Sequence, residues 1–280
     1  MKIGVNLLLW TSRLTPAHLP ILRGLKAMGY DGVEVPVFTG TPADYSEIAR
    51  MLGDEGLAAA VAGTLKPGAD PLSDDPTQRA AGRDHLHWLV DCAAALGAEV
   101  IAGPFHQPLA QFSGTGPTPR EWDRLVAAQT DMADYAPMRL AIEPLNRFEC
   151  YALNTAEQAA RLAHQVNRPS YGTLFDTFHA NIEERDPVAA LTQTLPHVTH
   201  FHVSENDRGT PGTGHAAILP ALKVLKAAGY DHWISVEAFG QALPDIAAAT
   251  KIWRPLFTSE TQLAKDAVKL IRQAWTSQET

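Results

Sequence analysis

The sequence is poor in cysteine, has fewer basic than acidic residues and lacks a long hydrophobic run. Its two cysteines, Cys92 and Cys150, are too few for the disulfide framework of a small secreted domain. The 23 Lys and Arg residues against 31 Asp and Glu give a net charge of −8, which disfavours nucleic acids and anionic membranes as partners. No apolar stretch has the length of a membrane span, so we expect a soluble, cytoplasmic protein.

The sequence does contain a regular alternation of short apolar runs and longer segments of helical period. Eight runs have the length of strands, and they cover residues 3–9, 32–37, 57–62, 99–103, 139–143, 172–176, 199–203 and 233–237. Helices are predicted over residues 17–28, 43–52, 77–95, 119–135, 155–165, 187–194 and 217–228. The 280 residues divided among eight strands give 35 residues for each strand, loop, helix and return loop.

This pattern predicts an α/β fold, a single (β/α)8 TIM barrel domain over residues 1–280 with an extra C-terminal helix within residues 258–275. An open doubly wound sheet shares the alternation, but no Gly-x-Gly-x-x-Gly motif follows the first strand. Two stretches rich in Gly and Pro, residues 66–77 and 105–118, are predicted as long loops at the active-site face of the barrel.

Four predicted strands in the second half of the chain end in a side chain that binds metal ions. These residues are Glu143, Asp176, His202 and Glu237, and successive members are 33, 26 and 35 residues apart. Each gap is about one βα unit, so a barrel would bring all four to one rim. A single carboxylate at a strand end is more often a helix cap or part of an ion pair, but four in register favour a metal site. Carboxylate and imidazole ligands suit Mn²⁺, Mg²⁺ or Co²⁺ better than structural zinc.

The histidine ligand is ambiguous at this point, because His200 and His202 alternate along one strand and face the same way. Either could be the ligand.

Three polar segments carry a resemblance to a known family. Glu-Pro-Leu-Asn-Arg-Phe-Glu at 143–149, Asp-Thr-Phe-His-Ala-Asn-Ile-Glu-Glu at 176–184, and His-Phe-His followed by Glu-Asn-Asp-Arg within 200–208 resemble the D-tagatose 3-epimerase group. That group includes the D-psicose (D-allulose) and L-ribulose 3-epimerases, and it belongs to the xylose-isomerase-like barrel superfamily. The resemblance implies a ketose 3-epimerase, an isomerase of carbohydrate metabolism.

The resemblance also implies roles for the cluster at the strand ends. It selects His202 over His200 and makes Glu143, Asp176, His202 and Glu237 the ligands of one divalent metal ion per subunit, with Mn²⁺ expected first and Co²⁺ or Mg²⁺ as alternatives. Glu143 and Glu237 would also serve as the acid and base. Inversion at C3 would then proceed through an enediolate, with the metal polarising the C2 carbonyl.

Three more residues match positions that hold the C1 to C3 end of the sugar in this group, namely Glu149, His179 and Arg208. The expected partner is a free ketose of the D-tagatose, D-fructose/D-psicose or L-ribulose type, and the expected assembly is a homodimer or homotetramer. Asn6 and His106 stand where relatives often have aromatic side chains, and they could hydrogen-bond sugar hydroxyls or simply pack.

Three alternatives use the same barrel. A hydroxypyruvate-isomerase-like aldose–ketose isomerase would move a proton between C1 and C2 with the same metal. An AP-endonuclease-like nuclease would need further metal ligands and a basic cleft, which the charge of −8 disfavours. A barrel that binds sugar without turnover would not need Glu143 and Glu237.

Overall fold

A computed structural model describes residues 1–277, and its centre is a sheet of eight parallel strands. The strands are β1 (Lys2–Val5), β2 (Gly32–Pro36), β3 (Ala58–Ala62), β4 (Val100–Gly103), β5 (Arg139–Ile142), β6 (Tyr171–Asp176), β7 (Val198–Val203) and β8 (Trp233–Val236). Each strand pairs with its neighbour in the chain from β2 to β8, and β8 pairs with β1. An isolated parallel bridge between Asn6 and Glu34 connects β1 to β2. The predicted TIM barrel is confirmed.

Ten α-helices lie within residues 1–277 and surround the sheet. They are α1 (Leu19–Met28), α2 (Pro42–Asp54), α3 (Pro76–Leu96), α4 (Pro119–Tyr135), α5 (Ala156–Val166), α6 (Thr177–Glu183), α7 (Pro187–Thr194), α8 (Ile218–Ala227), α9 (Pro244–Thr250) and α10 (Glu260–Thr276). No helix of this set is long and apolar enough to cross a membrane.

Local chemistry explains where several helices begin. At α4, the hydroxyl of Thr118 accepts a hydrogen bond from the Glu121 amide at 3.2 Å, and the Glu121 carboxylate accepts one from the Thr118 amide at 2.7 Å. This reciprocal capping box satisfies two amides that have no partner within the helix. Pro119 occupies the first helical position, where the missing N–H group costs nothing.

The structure differs from the sequence-based prediction at three elements. The first strand ends at Val5, because the Asn6 side chain accepts a hydrogen bond from the Leu8 amide at 3.0 Å and begins a 3-10 turn at Leu7–Leu9. The predicted extension of that strand to residue 9 is therefore wrong. Helices α6 and α9 were not predicted, because seven residues are too few to show a helical period.

The C-terminal helix α10 packs outside the barrel, as expected. It contacts α1, α8, β1 and β8, and its inner face buries Leu263, Val268 and Ile271. The hydroxyl of Tyr30 donates a hydrogen bond to the Ala264 carbonyl at 2.8 Å. Each large apolar side chain buried in this way contributes about 1.5–3 kcal/mol, so α10 holds the junction between the first and last strands.

Candidate active site and metal centre

The ends of β5 to β8 bring four metal-ligand side chains together on the rim of the barrel. Glu143 directly follows β5, Asp176 is the last residue of β6, His202 lies near the end of β7 and Glu237 directly follows β8. One ligand atom of each lies within 4.8 Å of the others. Nδ1 of His202 is 3.5 Å from the nearest Glu237 oxygen, 3.9 Å from that of Glu143 and 4.0 Å from that of Asp176. The residues form one cluster.

This cluster fits a divalent cation. Oε1 of Glu143 and Nδ1 of His202 are buried and lack a hydrogen-bond partner within the described part of the chain. Buried polar atoms are normally paired, so unpaired ones call for a further partner such as an ion. Three buried carboxylates also repel one another, and a divalent cation would relieve that repulsion. The oxygen-rich donor set suits Mn²⁺, Co²⁺ or Mg²⁺.

The carboxylates of the cluster have very different electrostatic environments. Burial and the nearby charge of Glu237 raise the pKa of Glu143 well above its usual value. Burial also raises the pKa of Asp176, to about 6, although Arg208 opposes the rise. For Glu237, burial acts in the same direction, but the charges of His202 and Arg208 outweigh it and lower the pKa to about 2. Such separation of carboxylate pKa values is typical of acid–base sites.

Arg208 organises the cluster. Its Nη1 donates to Asp176 at 2.8 Å, to Glu237 at 2.7 Å and to the hydroxyl of Ser204 at 2.7 Å. The guanidinium lies 3.8 Å from the ring centre of Phe178, which adds a cation–π contact. The backbone of Arg208 has a φ of +66°, a conformation that costs a non-glycine residue about 1–3 kcal/mol.

His179 and Glu149, which the sequence predicted as sugar-binding residues, lie beside the cluster. Nε2 of His179 is 3.0 Å from Nη2 of Arg208 and 3.6 Å from Oε1 of Glu143. Burial and the charge of Arg208 lower the pKa of His179 well below its usual value. The amide of Asn146 contacts both residues, at 3.0 Å from Nδ1 of His179 and 2.7 Å from Oε1 of Glu149. Asn146 therefore links them into one polar group.

The two remaining predicted residues, Asn6 and His106, lie in different environments. Asn6 joins the cluster, since its amide Nδ2 donates to Oε1 of Glu237 at 3.0 Å and the residue lines the central cavity. His106 is fully buried and is not among the cavity-lining residues. Burial lowers the pKa of His106 to about 3, so its ring is neutral.

Sequence reasoning missed Glu34 of β2. Its carboxylate is fully buried and accepts hydrogen bonds from Nε2 of His200 at 2.5 Å and Nε2 of His202 at 3.1 Å. The sequence marks Glu34 only as the one charged residue in the otherwise apolar strand Gly32–Pro36, which does not indicate its partners. Nδ1 of His202 faces the carboxylate cluster, whereas His200 contacts Glu34 alone among the acidic groups, so the geometry supports His202 as the ligand.

Glu143, His202 and Glu237 of the cluster line a cavity of about 270 Å³. This volume is slightly below the roughly 300–1,000 Å³ typical of small-molecule sites. The rest of the wall is largely apolar and includes Leu8, Phe38, Leu109, Phe239 and Ile246. Leu109 belongs to the predicted long loop at 105–118, while Lys66 of the other predicted loop lines a separate surface pocket.

Comparisons with known proteins agree with this fold. The model of the xylose isomerase-like TIM barrel family matches residues 22–274. The chain is 30% identical over 285 residues to the ketose 3-epimerase of Arthrobacter globiformis, covering 100% of this chain and 99% of that protein. It is 29% identical to a probable ketose 3-epimerase of Synechocystis sp., over 98% of this chain and 97% of that one.

A solved structure is similar as well. The D-allulose 3-epimerase of Methylomonas sp. in complex with D-allulose superimposes with a TM-score of 0.91 at 26% identity, covering 98% of this chain and 97% of that one.

The chain belongs to the xylose isomerase-like TIM barrel family. Its predicted resemblance to the ketose 3-epimerases is confirmed, and with it the prediction that the protein is an enzyme of the isomerase class.

Proposed function

We propose that this chain is a metal-dependent ketose 3-epimerase that acts on free ketoses. The observation that carries the proposal is the cluster of Glu143, Asp176, His202 and Glu237, three members of which, Glu143, His202 and Glu237, line a small cavity. Two of its members are glutamates that follow strands three positions apart around the barrel, so they reach the cavity from different directions. The names of the relatives support the same reaction.

The four residues of the cluster would hold one divalent cation, with Mn²⁺ expected and Co²⁺ or Mg²⁺ as alternatives. When bound, such a cation supplies Lewis-acid polarisation of a ketone and stabilises negative charge on its enediolate.

Glu143 and Glu237 would transfer the C3 proton. Inversion at a carbon next to a ketone requires removal of its proton from one face and delivery of a proton to the other. Two carboxylates on different sides of the cavity can do this without an external acid or base. In each direction of the reaction, one glutamate accepts the proton and the other donates one.

Arg208, His179 and Glu149 would position the sugar. Arg208 and His179 are buried at the cavity wall next to the two glutamates, with donor atoms 2.7 Å from Glu237 and 3.6 Å from Glu143, respectively. Groups held this firmly place a bound ketone and its neighbouring hydroxyls in one orientation, which reduces the entropic cost of proton transfer. The apolar wall would contact the C4 to C6 end.

The cavity favours a free sugar over a sugar phosphate. Among the cavity-lining residues that the structure describes, Arg208 is the only Lys or Arg, and it is already paired with Asp176 and Glu237. A phosphate group would need additional donors such as a second cation or a helix N-terminus.

We also propose that the chain functions as one domain over residues 1–280, because the main hydrophobic core includes residues from Ile3 to Ile271. Assembly as a homodimer or homotetramer remains a prediction.

The decisive experiment incubates the protein with Mn²⁺ and a panel of free ketoses in deuterated water. We expect C3 epimers to form and deuterium to enter at C3. Glu143→Gln and Glu237→Gln should each abolish this exchange, while Glu99→Gln, a matched change at the opposite end of the barrel, should retain it. Exchange at C1 or C2 without C3 epimers would instead establish an aldose–ketose isomerase. Exchange at normal rate in either glutamate variant would contradict the acid–base assignment.

A further inference from the structure

Glu34 and the two histidines of β7 form a hydrogen-bonded group in the barrel interior, directly beneath the carboxylate cluster. All three side chains have at most 3% exposure. Within residues 1–277, the only side chains that donate to the Glu34 carboxylate are the two imidazole rings, with Nε2 of His200 at 2.5 Å and Nε2 of His202 at 3.1 and 3.2 Å. A buried carboxylate without a cationic Lys or Arg is costly in a barrel core, and an apolar residue would be the more stable choice. Its presence calls for a role.

The geometry of this group determines which nitrogen of His202 carries the proton. A carboxylate can only accept hydrogen bonds, so the nitrogen that faces Glu34 must carry a hydrogen atom. A histidine that binds a metal ion is the neutral imidazole, which has a single N–H group, and placing that group on Nε2 leaves a lone pair on Nδ1. That Nδ1 atom is the one that faces Glu143, Asp176 and Glu237 at 3.5–4.0 Å.

The opposite tautomer would direct a proton at the cluster. Without Glu34, an Nδ1–H group could donate to Glu237, whose nearest oxygen is 3.5 Å away. The hydrogen atom on Nδ1 would then replace the lone pair with which His202 must bind the metal ion. Glu34 removes this option by accepting a hydrogen bond from Nε2–H on the other side of the ring.

His200 holds Glu34 in place. Positions 200 and 202 are two apart in β7, so both rings point into the barrel. The 2.5 Å contact from His200 fixes Oε1 of the carboxylate, and the bridge between Asn6 and Glu34 fixes its backbone where β1 and β2 meet. Nδ1 of His200 has no hydrogen-bond partner within the described residues, and its ring stacks on Trp233.

We infer that Glu34 is a positioning residue that holds His202 as the Nε2–H tautomer, with Nδ1 free to bind the metal ion, and that His200 orients Glu34. The inference depends on one part of the proposed function, the metal site, and does not depend on the epimerisation reaction. Hydrogen bonds of this kind to a ligand histidine typically contribute about 10- to 100-fold to metal affinity.

The first test measures Mn²⁺ binding by isothermal titration calorimetry. In Glu34→Gln the amide can accept from one ring only, and its NH2 group faces the other donor. We expect the Kd for Mn²⁺ to rise about 10- to 100-fold. Glu99→Gln is the matched control, since Glu99 accepts from the indole N–H of Trp233 at 2.9 Å near the opposite end of the barrel, and its Kd should be unchanged. Circular dichroism establishes that each variant is folded.

The second test needs no variant and therefore holds even where Glu34→Gln does not fold. Nitrogen-15 NMR of the histidine rings in the unmodified protein, loaded with diamagnetic Mg²⁺, should show the His202 proton on Nε2. A role for Glu34 in packing alone would not dictate this tautomer.

Either a proton on Nδ1 of His202 or an unchanged Mn²⁺ affinity in folded Glu34→Gln would overturn the inference. Absence of Mn²⁺ binding by the unmodified protein would overturn both the metal site and the inference. Tight Mn²⁺ binding without C3 epimerisation of any ketose would overturn the proposed function and leave the role of Glu34 standing.

Discussion

The two halves of the barrel contribute different things to the cavity. Among the described residues, strands β5 to β8 and the segments after them provide every ionisable side chain that lines the cavity, namely Glu143, Glu149, His179, His202, Arg208 and Glu237. Strands β3 and β4 provide small residues at the same rim, including Gly63 and Gly103. The difference shows that a symmetric fold is used asymmetrically, with the ionisable lining groups in the second half of the chain and small lining residues in the first.

The first half also supports the second. Asn6 follows β1 and donates to Glu237, while Glu34 of β2 accepts from His202. The contact between Glu34 and His202 crosses the barrel interior. An isolated backbone bridge also joins Asn6 to Glu34, where β1 and β2 close the barrel. Strands without a reactive group thus still orient two of the four proposed metal ligands.

Removal of the metal ion should produce the largest effect on the epimerisation rate. All four proposed metal ligands lie in the second half of the barrel. Chelation with EDTA is expected to reduce the epimerisation rate by about 10³-fold or more, because the developing negative charge loses its main stabilisation. Added Mn²⁺ should restore the rate, and circular dichroism should show an intact barrel throughout. Full activity in protein shown to be metal-free by elemental analysis would contradict the proposed metal dependence.

Arg208→Lys should have the next largest effect. A lysine keeps the charge but cannot contact Asp176, Ser204 and Glu237 in the geometry of the guanidinium. We expect kcat/KM to fall about 100-fold in steady-state kinetics. Arg168→Lys is the matched control, because Arg168 makes an exposed two-contact pair with Asp134, and it should leave kcat/KM unchanged. Equal values for both variants would argue against a role for Arg208 in the site.

Gly103→Ala tests whether the rim in the first half of the barrel requires a residue without a side chain. Gly103 has a φ of +131°, and an added Cβ atom would lie 2.4 Å from the Gly63 carbonyl oxygen. We expect the free energy of unfolding to fall by about 2 kcal/mol. Urea denaturation followed by circular dichroism measures this change, and a midpoint equal to that of the unmodified protein would show that the rim tolerates a side chain.

Gly24→Ala should have the smallest effect, and its sign should be opposite. Gly24 lies inside α1, and an added Cβ atom there would have no neighbour within 4 Å. Alanine in a helix interior is more stable than glycine by about 0.5–1 kcal/mol. The same denaturation experiment should therefore show a small stabilisation. Destabilisation by Gly24→Ala would mean that glycine is required in the outer layer of this half as well as at the rim.

Much of the barrel could be predicted from sequence, because alternation of apolar runs and helical periods is a local property. Helix α7 was predicted with its observed bounds, Pro187–Thr194. The errors occur where a side chain overrides the local pattern. Asn6 turns the chain after β1 by capping a 3-10 turn, and Asp176 begins α6 by accepting from the Phe178 amide at 2.7 Å.

The candidate site was predicted less evenly. The residue types at the ends of β5 to β8 identified Glu143, Asp176 and Glu237 together with either His200 or His202. The family resemblance selected His202, and the structure brings these four together. Glu34 was missed, because a single carboxylate in an apolar strand carries no spacing signal that connects it to a distant histidine.

By itself, the sequence determined the order of strands and helices and the chemical nature of the groups at the rim, since both depend on nearest neighbours along the chain. Only the tertiary structure decided which atoms face one another. His202 and His200 are equivalent in the sequence pattern, and they differ because closure of the barrel places Glu34, 166 residues from His200, between their rings. That closure leaves Nδ1 of His202 facing the carboxylates, which no local pattern encodes.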